Sequence, residues 1–280
     1  MDIRYSANQK DFKRYTTKEI RKEFLIKELF RPDEVIAVYS HVDRMVTIGC
    51  MPVNDTVSID KGMDVWKTFG AKFVLERREV GIFNVGGAGE IVVDGKKFPM
   101  GFKDCLYISM GSKDVRFSSF APDSPAKYYM VCAPAHKPCE TMLITRENAE
   151  KRPLGAIETA NKRVIYQFIH PAVLETCQLC MGLTELDEGS VWNTMPAHAH
   201  ERRMEVYFYF EVPKDQVVFH LMGEEDETRH IVMKSEQAVV SPSWSIHSGC
   251  GTSRYSFIWA MGGENKEFDD MDVIATQELQ

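Results

Sequence analysis

Short segments of alternating hydrophobic and polar residues, separated by turn residues, cover most of the chain. Such segments predict β-strands, and short strands at close spacing are typical of sandwiches and barrels rather than of parallel α/β sheets. In the first half the predicted strands are residues 35–42, 72–75, 80–85, 90–94, 106–109, 115–120 and 127–132. In the second half they are residues 205–210, 216–221, 230–233, 238–241 and 255–260.

One helix is predicted near the N-terminus. Thr16 and Glu19 have the Ser/Thr-x-x-Glu spacing of a capping box. Ile20, Phe24 and Leu25 begin an apolar stripe with helical spacing that ends near Phe30. The expected fold class is therefore all-β, with a few short helices.

The strand pattern is interrupted by residues 134–160, which are rich in proline and charge. We place a domain boundary there, giving domains 1–155 and 156–280. The halves also share a short echo, because residues 75–80 read LERREV and residues 200–206 read HERRMEV. An internal duplication explains the echo, and so does chance, since a shared Glu-Arg-Arg arises easily.

Composition and charge exclude several classes of protein. The chain has 280 residues, and 34 basic against 41 acidic residues give a net charge of −7. A nucleic-acid partner is not expected, because the basic footprint is missing. No apolar run approaches the roughly 20 residues of a membrane helix, so no membrane partner is expected. The polar start and the odd number of cysteines, seven, favour a cytoplasmic location.

Four residues in the second half have the chemistry of a metal site. His198 and His200 are two apart, so on a strand both imidazoles face the same side. Glu205 has the opposite parity, and a bend between residues 200 and 205 is needed to bring its carboxylate back. His247 follows a proline-containing turn on a distant strand. Three imidazoles and a carboxylate suit Zn²⁺, and also Fe, Mn, Co or Ni, whereas an isolated His-x-His pair is usually only a surface feature.

Three further residues share the strand face of Glu205 and are candidates for catalysis. Arg203 is either a partner for a substrate carboxylate or a solvated arginine at a strand edge. Tyr207 and Tyr209 are acids or, more simply, aromatic residues that line a barrel. The general base is not identified by the sequence.

The His-x-His, the spaced Glu and the later Pro…His resemble the metal-binding pattern of the cupin superfamily. Longer segments resemble the bacterial 5-keto-4-deoxyuronate isomerase family over nearly the whole chain. These segments are residues 38–41, 73–79, 84–89, 174–179, 192–196, 200–210, 241–249 and 268–272. The cupin glycines are not matched everywhere, since Val212 and Trp244 stand where glycine is usual.

The resemblance implies a bicupin of two antiparallel jelly-roll barrels with one Zn²⁺ per chain in the second barrel. It implies a ketol-isomerase that converts 5-dehydro-4-deoxy-D-glucuronate to 3-deoxy-D-glycero-2,5-hexodiulosonate during the breakdown of pectin or glycosaminoglycan uronates. The metal ligands of the family fall on His198, His200, Glu205 and His247. A cupin-type Fe or Mn oxygenase and a non-catalytic sugar-binding sensor are the alternative functions.

Two further expectations concern the first barrel and the assembly. The first barrel is expected to bind no metal, because Phe73-Val74-Leu75 stands where imidazoles are needed. Residues 204–210 and 255–260 are apolar on both faces, which predicts a homo-oligomer that covers them. The resemblance favours a hexamer over a dimer.

Overall fold

The computed structural model describes residues 1–264 and 270–280, most of them in or between β-strands. None of the described helices is both long and apolar enough to cross a membrane. The helices are α1 (Gln9–Phe12), α2 (Thr17–Phe24), α3 (Val65–Phe69) and a 3₁₀ turn at Thr276–Glu278.

The strands confirm the all-β expectation. The first twelve are β1 (Asp2–Arg4), β2 (Leu25–Ile26), β3 (Val35–Ser40), β4 (Val46–Cys50), β5 (Val57–Ser58), β6 (Arg78–Asn84), β7 (Gly89–Val93), β8 (Lys96–Met100), β9 (Cys105–Ile108), β10 (Val115–Ser119), β11 (Tyr128–Pro134) and β12 (Met142–Ile144). The others are β13 (Glu150–Leu154), β14 (Arg163–Ile169), β15 (Cys180–Leu186), β16 (Trp192–Asn193), β17 (His198–Ala199), β18 (Arg203–Phe210), β19 (Val218–Glu224), β20 (Glu227–Met233), β21 (Gln237–Ser241), β22 (Ser248–Gly251), β23 (Ser256–Gly263) and β24 (Asp272–Val273).

The chain divides into two compact units. Unit 1 consists of residues 1–4, 28–150 and 168–180, and unit 2 consists of residues 5–27, 151–167 and 181–280. Both units take segments from the N-terminal part and from the region after residue 150. The single domain boundary at residue 155 therefore stays a prediction about how the chain folds.

Unit 1 has a seven-stranded sheet in the order β1-β3-β4-β11-β6-β9-β12 and a four-stranded sheet in the order β5-β10-β7-β8. The pairing is antiparallel except between β1 and β3. Its core draws apolar side chains from both sheets, including Val80 and Ile82 from β6 and Ile91 and Phe117 from the smaller sheet. The interior of unit 1 is hydrophobic.

Unit 2 repeats this plan. Its seven-stranded sheet has the order β13-β14-β15-β23-β18-β21-β2, and its four-stranded sheet has the order β16-β22-β19-β20. In the seven-stranded sheet β18 lies between β23 and β21, as β6 lies between β11 and β9 in unit 1. The Glu-Arg-Arg echo precedes both strands, so Arg78 corresponds to Arg203 and Val80 to Glu205. The common strand order supports an internal duplication.

The N-terminal helix belongs to unit 2. The capping box is present, because the Thr16 side chain accepts from the Glu19 N–H while the Glu19 carboxylate accepts from the Thr16 N–H. The apolar stripe predicts an end near Phe30, but the helix already ends at Phe24. It ends there because Leu25 and Ile26 extend into β2, which pairs with β21.

Three other expectations need correction. Residues 72–75 form bends and turns rather than a strand. The proline-rich segment is partly ordered as strands, since β12 and β13 both fall within residues 134–160. All eight residues of β18 and all but the last of β23 are buried within the single chain. Their two apolar faces are thus already covered, and they supply no argument for an oligomer.

Candidate metal centre

Three separate pieces of unit 2 bring the predicted ligands together. His198 lies in β17, which pairs with β24 through His198 and Val273. The chain then turns at residues 201–202, the position of the predicted bend, and enters β18 with Glu205 opposite Ser241 of β21. His247 comes immediately before β22.

The side chains of His198, His200, Glu205 and His247 converge on one point. Their donor atoms all lie within 4.8 Å of one another. Glu205 Oε2 is 3.1 Å from His200 Nε2 and 2.9 Å from His247 Nε2. His247 Nε2 is 3.0 Å from His198 Nε2. His200, Glu205 and His247 are nearly inaccessible to solvent.

The donor set fits a divalent metal ion. Metal–ligand bonds of about 2.0–2.2 Å place neighbouring donor atoms of one ion about 3 Å apart, which is the spacing of the three pairs above. Two imidazole nitrogens that face each other at 3.0 Å share at most one proton. His200 Nδ1 lies 2.9 Å from the carbonyl oxygen of Arg203, an arrangement that suits a protonated Nδ1 and leaves Nε2 for the metal.

The surroundings also favour the ligand forms of these groups. Burial, with the nearby His247, holds the pKa of His198 well below its usual value, so the imidazole is neutral. Burial alone would raise the pKa of Glu205, but His247 and His200 hold it below its usual range, and the carboxylate is ionised. Neutral imidazoles and a carboxylate are the states that bind a metal.

Two of the four candidate metal ligands lie at one wall of a cleft of about 230 Å³ in unit 2. His198 and Glu205 line it together with Arg203 and Tyr207. Most of the other lining residues are apolar or hydroxyl-bearing: Leu154, Ile165, Thr184, Thr194, Met195, Pro196, Phe257, Trp259, Met261, Met271 and Val273. A concave apolar site with a few convergent polar groups is the usual form of a small-molecule site.

The cleft contains a second arginine that sequence reasoning missed. Arg163, at the start of β14, lines the cleft and donates from NH1 to the carbonyl oxygen of Asn161 at 2.8 Å. Burial lowers its pKa. Within residues 1–264 and 270–280, no ion pair joins Arg163 to a carboxylate. The sequence alone does not indicate that Arg163 lines the cleft, because this arginine belongs to no motif.

Arg203 is in a different situation. It is 1% exposed, and its NH2 lies 2.5 Å from Asp270 Oδ1. Asp270 belongs to the segment 268–272 of the resemblance, of which Phe268 and Asp269 lie outside the described residues. The role of Arg203 as a partner for a substrate carboxylate stays a prediction, and Asp270 already competes for that guanidinium.

The structure places Tyr207 and Tyr209 in different surroundings. Tyr207 lines the cleft, with its hydroxyl 3.0 Å from Thr194 Oγ1. The Tyr209 hydroxyl instead lies 2.8 Å from His220 Nδ1 in the buried interior. Burial raises the pKa of both phenols, so both are protonated at neutral pH. Tyr207 is therefore the better placed of the two for contact with a ligand.

The chain is similar to known proteins over its full length. The model of the KduI/IolB family matches residues 33–276. The chain is 51% identical over 280 residues, covering 100% of both proteins, to a 4-deoxy-L-threo-5-hexosulose-uronate ketol-isomerase from Lachnoclostridium phytofermentans. The same identity and coverage hold for the enzyme of that name from Pectobacterium carotovorum subsp. carotovorum.

A solved structure shows the same fold at low sequence identity. An IolB-like protein from Salmonella typhimurium LT2 matches with a TM-score of 0.72 at 11% identity, covering 90% of this chain and 96% of that one. The expected fold class, an all-β bicupin with few helices, is confirmed.

Proposed function

The chain belongs to the KduI/IolB family, and we propose from that membership and from its cleft that it is a ketol-isomerase acting on 4-deoxy-L-threo-5-hexosulose uronate. One observation carries the proposal: a buried His₃Glu group shares one cleft with an arginine, Arg163, that has no carboxylate partner in the described chain. The substrate named for the relatives has both features that such a cleft would bind, a carbonyl and a carboxylate.

His198, His200, Glu205 and His247 would hold one divalent ion per chain, with Zn²⁺ the first choice for three imidazoles and a carboxylate. The bound ion supplies a Lewis acid that polarises the substrate carbonyl. Elemental analysis of the purified protein tests this, with about one zinc per chain expected. Two tightly held ions per chain would contradict it.

Arg163 binds the substrate carboxylate in this proposal. A guanidinium can form two parallel hydrogen bonds to a carboxylate, which fixes the orientation of the acid as well as its position. Arg203 contributes less, because Asp270 already holds one of its nitrogens. The carbonyl end of the substrate is then directed toward Glu205 and His198, which line the same cleft.

The reaction moves a proton between adjacent carbons through an enediol. One proton leaves the carbon that carries the hydroxyl group, and one is delivered to the former carbonyl carbon. A proton also leaves the hydroxyl oxygen and one is gained by the former carbonyl oxygen, so the isomerisation needs no external oxidant or reductant. Tyr207 is protonated at neutral pH and lines the cleft, so it acts as a hydrogen-bond donor to a substrate oxygen rather than as the base. The apolar walls limit the access of water to the enediol.

The decisive experiment mixes the purified protein with the 5-keto uronate and follows the loss of that sugar under anaerobic conditions. We expect turnover without oxygen, a loss of turnover after treatment with a chelator, and recovery with Zn²⁺. Absence of turnover at any metal content would overturn the proposal that the protein is an isomerase. Turnover that requires oxygen would instead favour the Fe or Mn oxygenase, and binding without turnover would favour the sugar-binding sensor.

We further propose a cytoplasmic homohexamer that processes uronates released from pectin or glycosaminoglycans. Support for the reduced compartment comes from the seven cysteines, all in the described part of the chain, none of which is in a disulfide bond. The hexamer is supported only by the family resemblance. Light scattering tests it, and a mass near the 32.0 kDa of one chain would contradict it.

A further inference from the structure

Unit 1 has a cavity of its own at one end of β6. It measures about 280 Å³ and is lined by Phe69, Ala71, Val74, Arg77, Arg78, Pro134 and Ala135. Arg78 pairs with Pro134 of β11, and in unit 2 the corresponding Arg203 pairs with Gly263 of β23. The cavity therefore lies at the same end of its central strand as the metal cleft of unit 2.

Three of the four candidate metal ligands of unit 2 are replaced at the corresponding positions of unit 1. Val80 stands where Glu205 would be and packs in the hydrophobic core. Residues 73–75 correspond to 198–200 by the same echo and contain no imidazole. The arginine, by contrast, is present in both units.

Arg78 is a buried cation whose direct contacts are aromatic rings, a backbone carbonyl group and a thiol. It is 8% exposed, and its guanidinium lies 4.6 Å from the ring centre of Phe69 and 5.5 Å from that of Tyr39. Its NH1 donates to the carbonyl oxygen of Arg44 at 2.9 Å, and the Cys132 thiol is a further neighbour. No ion pair joins Arg78 to a carboxylate in residues 1–264 or 270–280.

A desolvated charge without a counter-ion is costly, so a partner for it is expected. The cavity itself offers none, because no acidic residue lines it. Arg77 adds a second cation at the same cavity, with its NH2 2.7 Å from the carbonyl oxygen of Gly70. The described residues therefore leave a requirement for a negative charge at this cavity.

We propose that this cavity is a second binding site, without a metal, for a small organic carboxylate. The arginine fork matches a carboxylate, and the remaining five lining residues are apolar, which suits a carbon skeleton better than inorganic phosphate. No His, Cys, Asp or Glu side chain lines the cavity to hold a metal, so we expect it to bind the acid without catalysing its isomerisation. It rests on residues of unit 1 alone and is independent of the proposed function of unit 2.

The test uses a residue that lines the cavity but belongs to no catalytic machinery. Ala135→Glu places a carboxylate in the cavity, where it can pair with Arg78 and take the place of the ligand. Ala135→Gln adds nearly the same volume without the charge and is the matched control. Arg78→Met is a second variant that removes the cation and keeps a long apolar side chain.

Binding is measured by calorimetry on the full-length protein and its variants, with D-galacturonate as the acidic probe, D-galactose as the neutral probe and phosphate as the inorganic one. We expect the original chain and Ala135→Gln to bind galacturonate with similar affinity. Ala135→Glu and Arg78→Met should each weaken that binding by about tenfold or more, the effect of losing a charge-assisted hydrogen bond. Galactose and phosphate should not bind there.

Two further measurements show whether the Ala135→Glu variant is correctly folded. Without ligand, Ala135→Glu should melt at or above the temperature of Ala135→Gln, because it gives the buried cation a partner. Its metal content should equal that of the original chain. Equal galacturonate affinity in the Glu and Gln variants, or phosphate binding as tight as galacturonate binding, would overturn the proposal.

Discussion

The interiors of the two units differ at corresponding positions of two equivalent strands, β6 in unit 1 and β18 in unit 2. In β6 of unit 1 the inward residues Val80 and Ile82 join an apolar core. In β18 of unit 2 the corresponding residues are Glu205 and Tyr207, and both line the metal cleft. The strand order of the sheets is the same. A few inward-facing side chains thus decide whether such a unit is a hydrophobic support or a chemical site.

Two buried glutamates extend the comparison. Glu79 in unit 1 accepts hydrogen bonds from the backbone N–H groups of Cys177, Gln178 and Leu179 and from the Tyr107 hydroxyl, at 2.7–2.9 Å. Those donors fully occupy its carboxylate. Within the described part of the chain, the ion-pair contacts of Glu205 in unit 2 are with imidazole nitrogens alone. We infer that the first glutamate stabilises the fold and the second binds a metal.

The largest expected effect is the loss of the metal site. Glu205→Gln removes the anionic ligand, so metal content should fall from about one ion per chain toward zero. Turnover of the keto uronate should fall about 10³-fold, because the Lewis acid is worth several kcal/mol. Elemental analysis and kinetics measure the two changes.

The matched control for Glu205→Gln lies at the corresponding position of unit 1. Val80→Ala should leave the metal content unchanged, although it creates a cavity and lowers stability. If both variants lose the metal, the division into a supporting unit and a chemical unit is wrong.

The second effect is on folding. Glu79→Gln replaces one carboxylate oxygen with an amide group that cannot accept, so buried N–H groups lose their partner. The free energy of unfolding should fall by about 3 kcal/mol, as measured by urea denaturation. Metal content should not change in the folded fraction. The control is Glu147→Gln at an exposed position. Equal stability of the two variants would show that the hydrogen bonds from Glu79 to residues 177–179 contribute nothing to the free energy of unfolding.

The strands and the convergence of three of the candidate ligands, His198, His200 and Glu205, could be predicted because they depend on local pattern. Alternation marks strands such as β7, whose residues alternate between buried and half-buried. The His-x-His spacing places two imidazoles on one face, and the turn at residues 201–202 supplies the bend that Glu205 needs. These signals lie within a few residues of one another.

Features set by distant contacts were not predictable in the same way. The strand β4 is buried at all five positions and lacks alternation, and β8 contains Pro99. The apolar residues 73–75 read as a strand but lie in a turn-rich segment. Arg163 reaches the cleft only through folding, because it lies 35 residues before His198 in the sequence.

The third effect separates substrate binding from chemistry. Arg163→Gln should raise KM for the keto uronate by about tenfold or more, because the carboxylate loses a charge-assisted pair. Metal content should stay at about one per chain. Arg163→Lys should recover part of the affinity, since it restores the charge but not the fork. The exposed Arg254→Gln is the control, and an unchanged KM in Arg163→Gln would remove Arg163 from the site.

The smallest effect tests which unit the N-terminal helix supports. Thr16→Ala removes the side-chain acceptor of the capping box and should cost about 1 kcal/mol of stability. Since β2 pairs with β21 and Arg21 donates to the carbonyl oxygen of Val232, the loosening should spread through unit 2. Hydrogen exchange should therefore quicken in β20 and β21 and stay unchanged in β6 and β11 of unit 1. Thr17→Ala, in the same helix but outside the capping position, should change neither. Faster exchange in β6 would assign the helix to unit 1, as a single boundary at residue 155 requires.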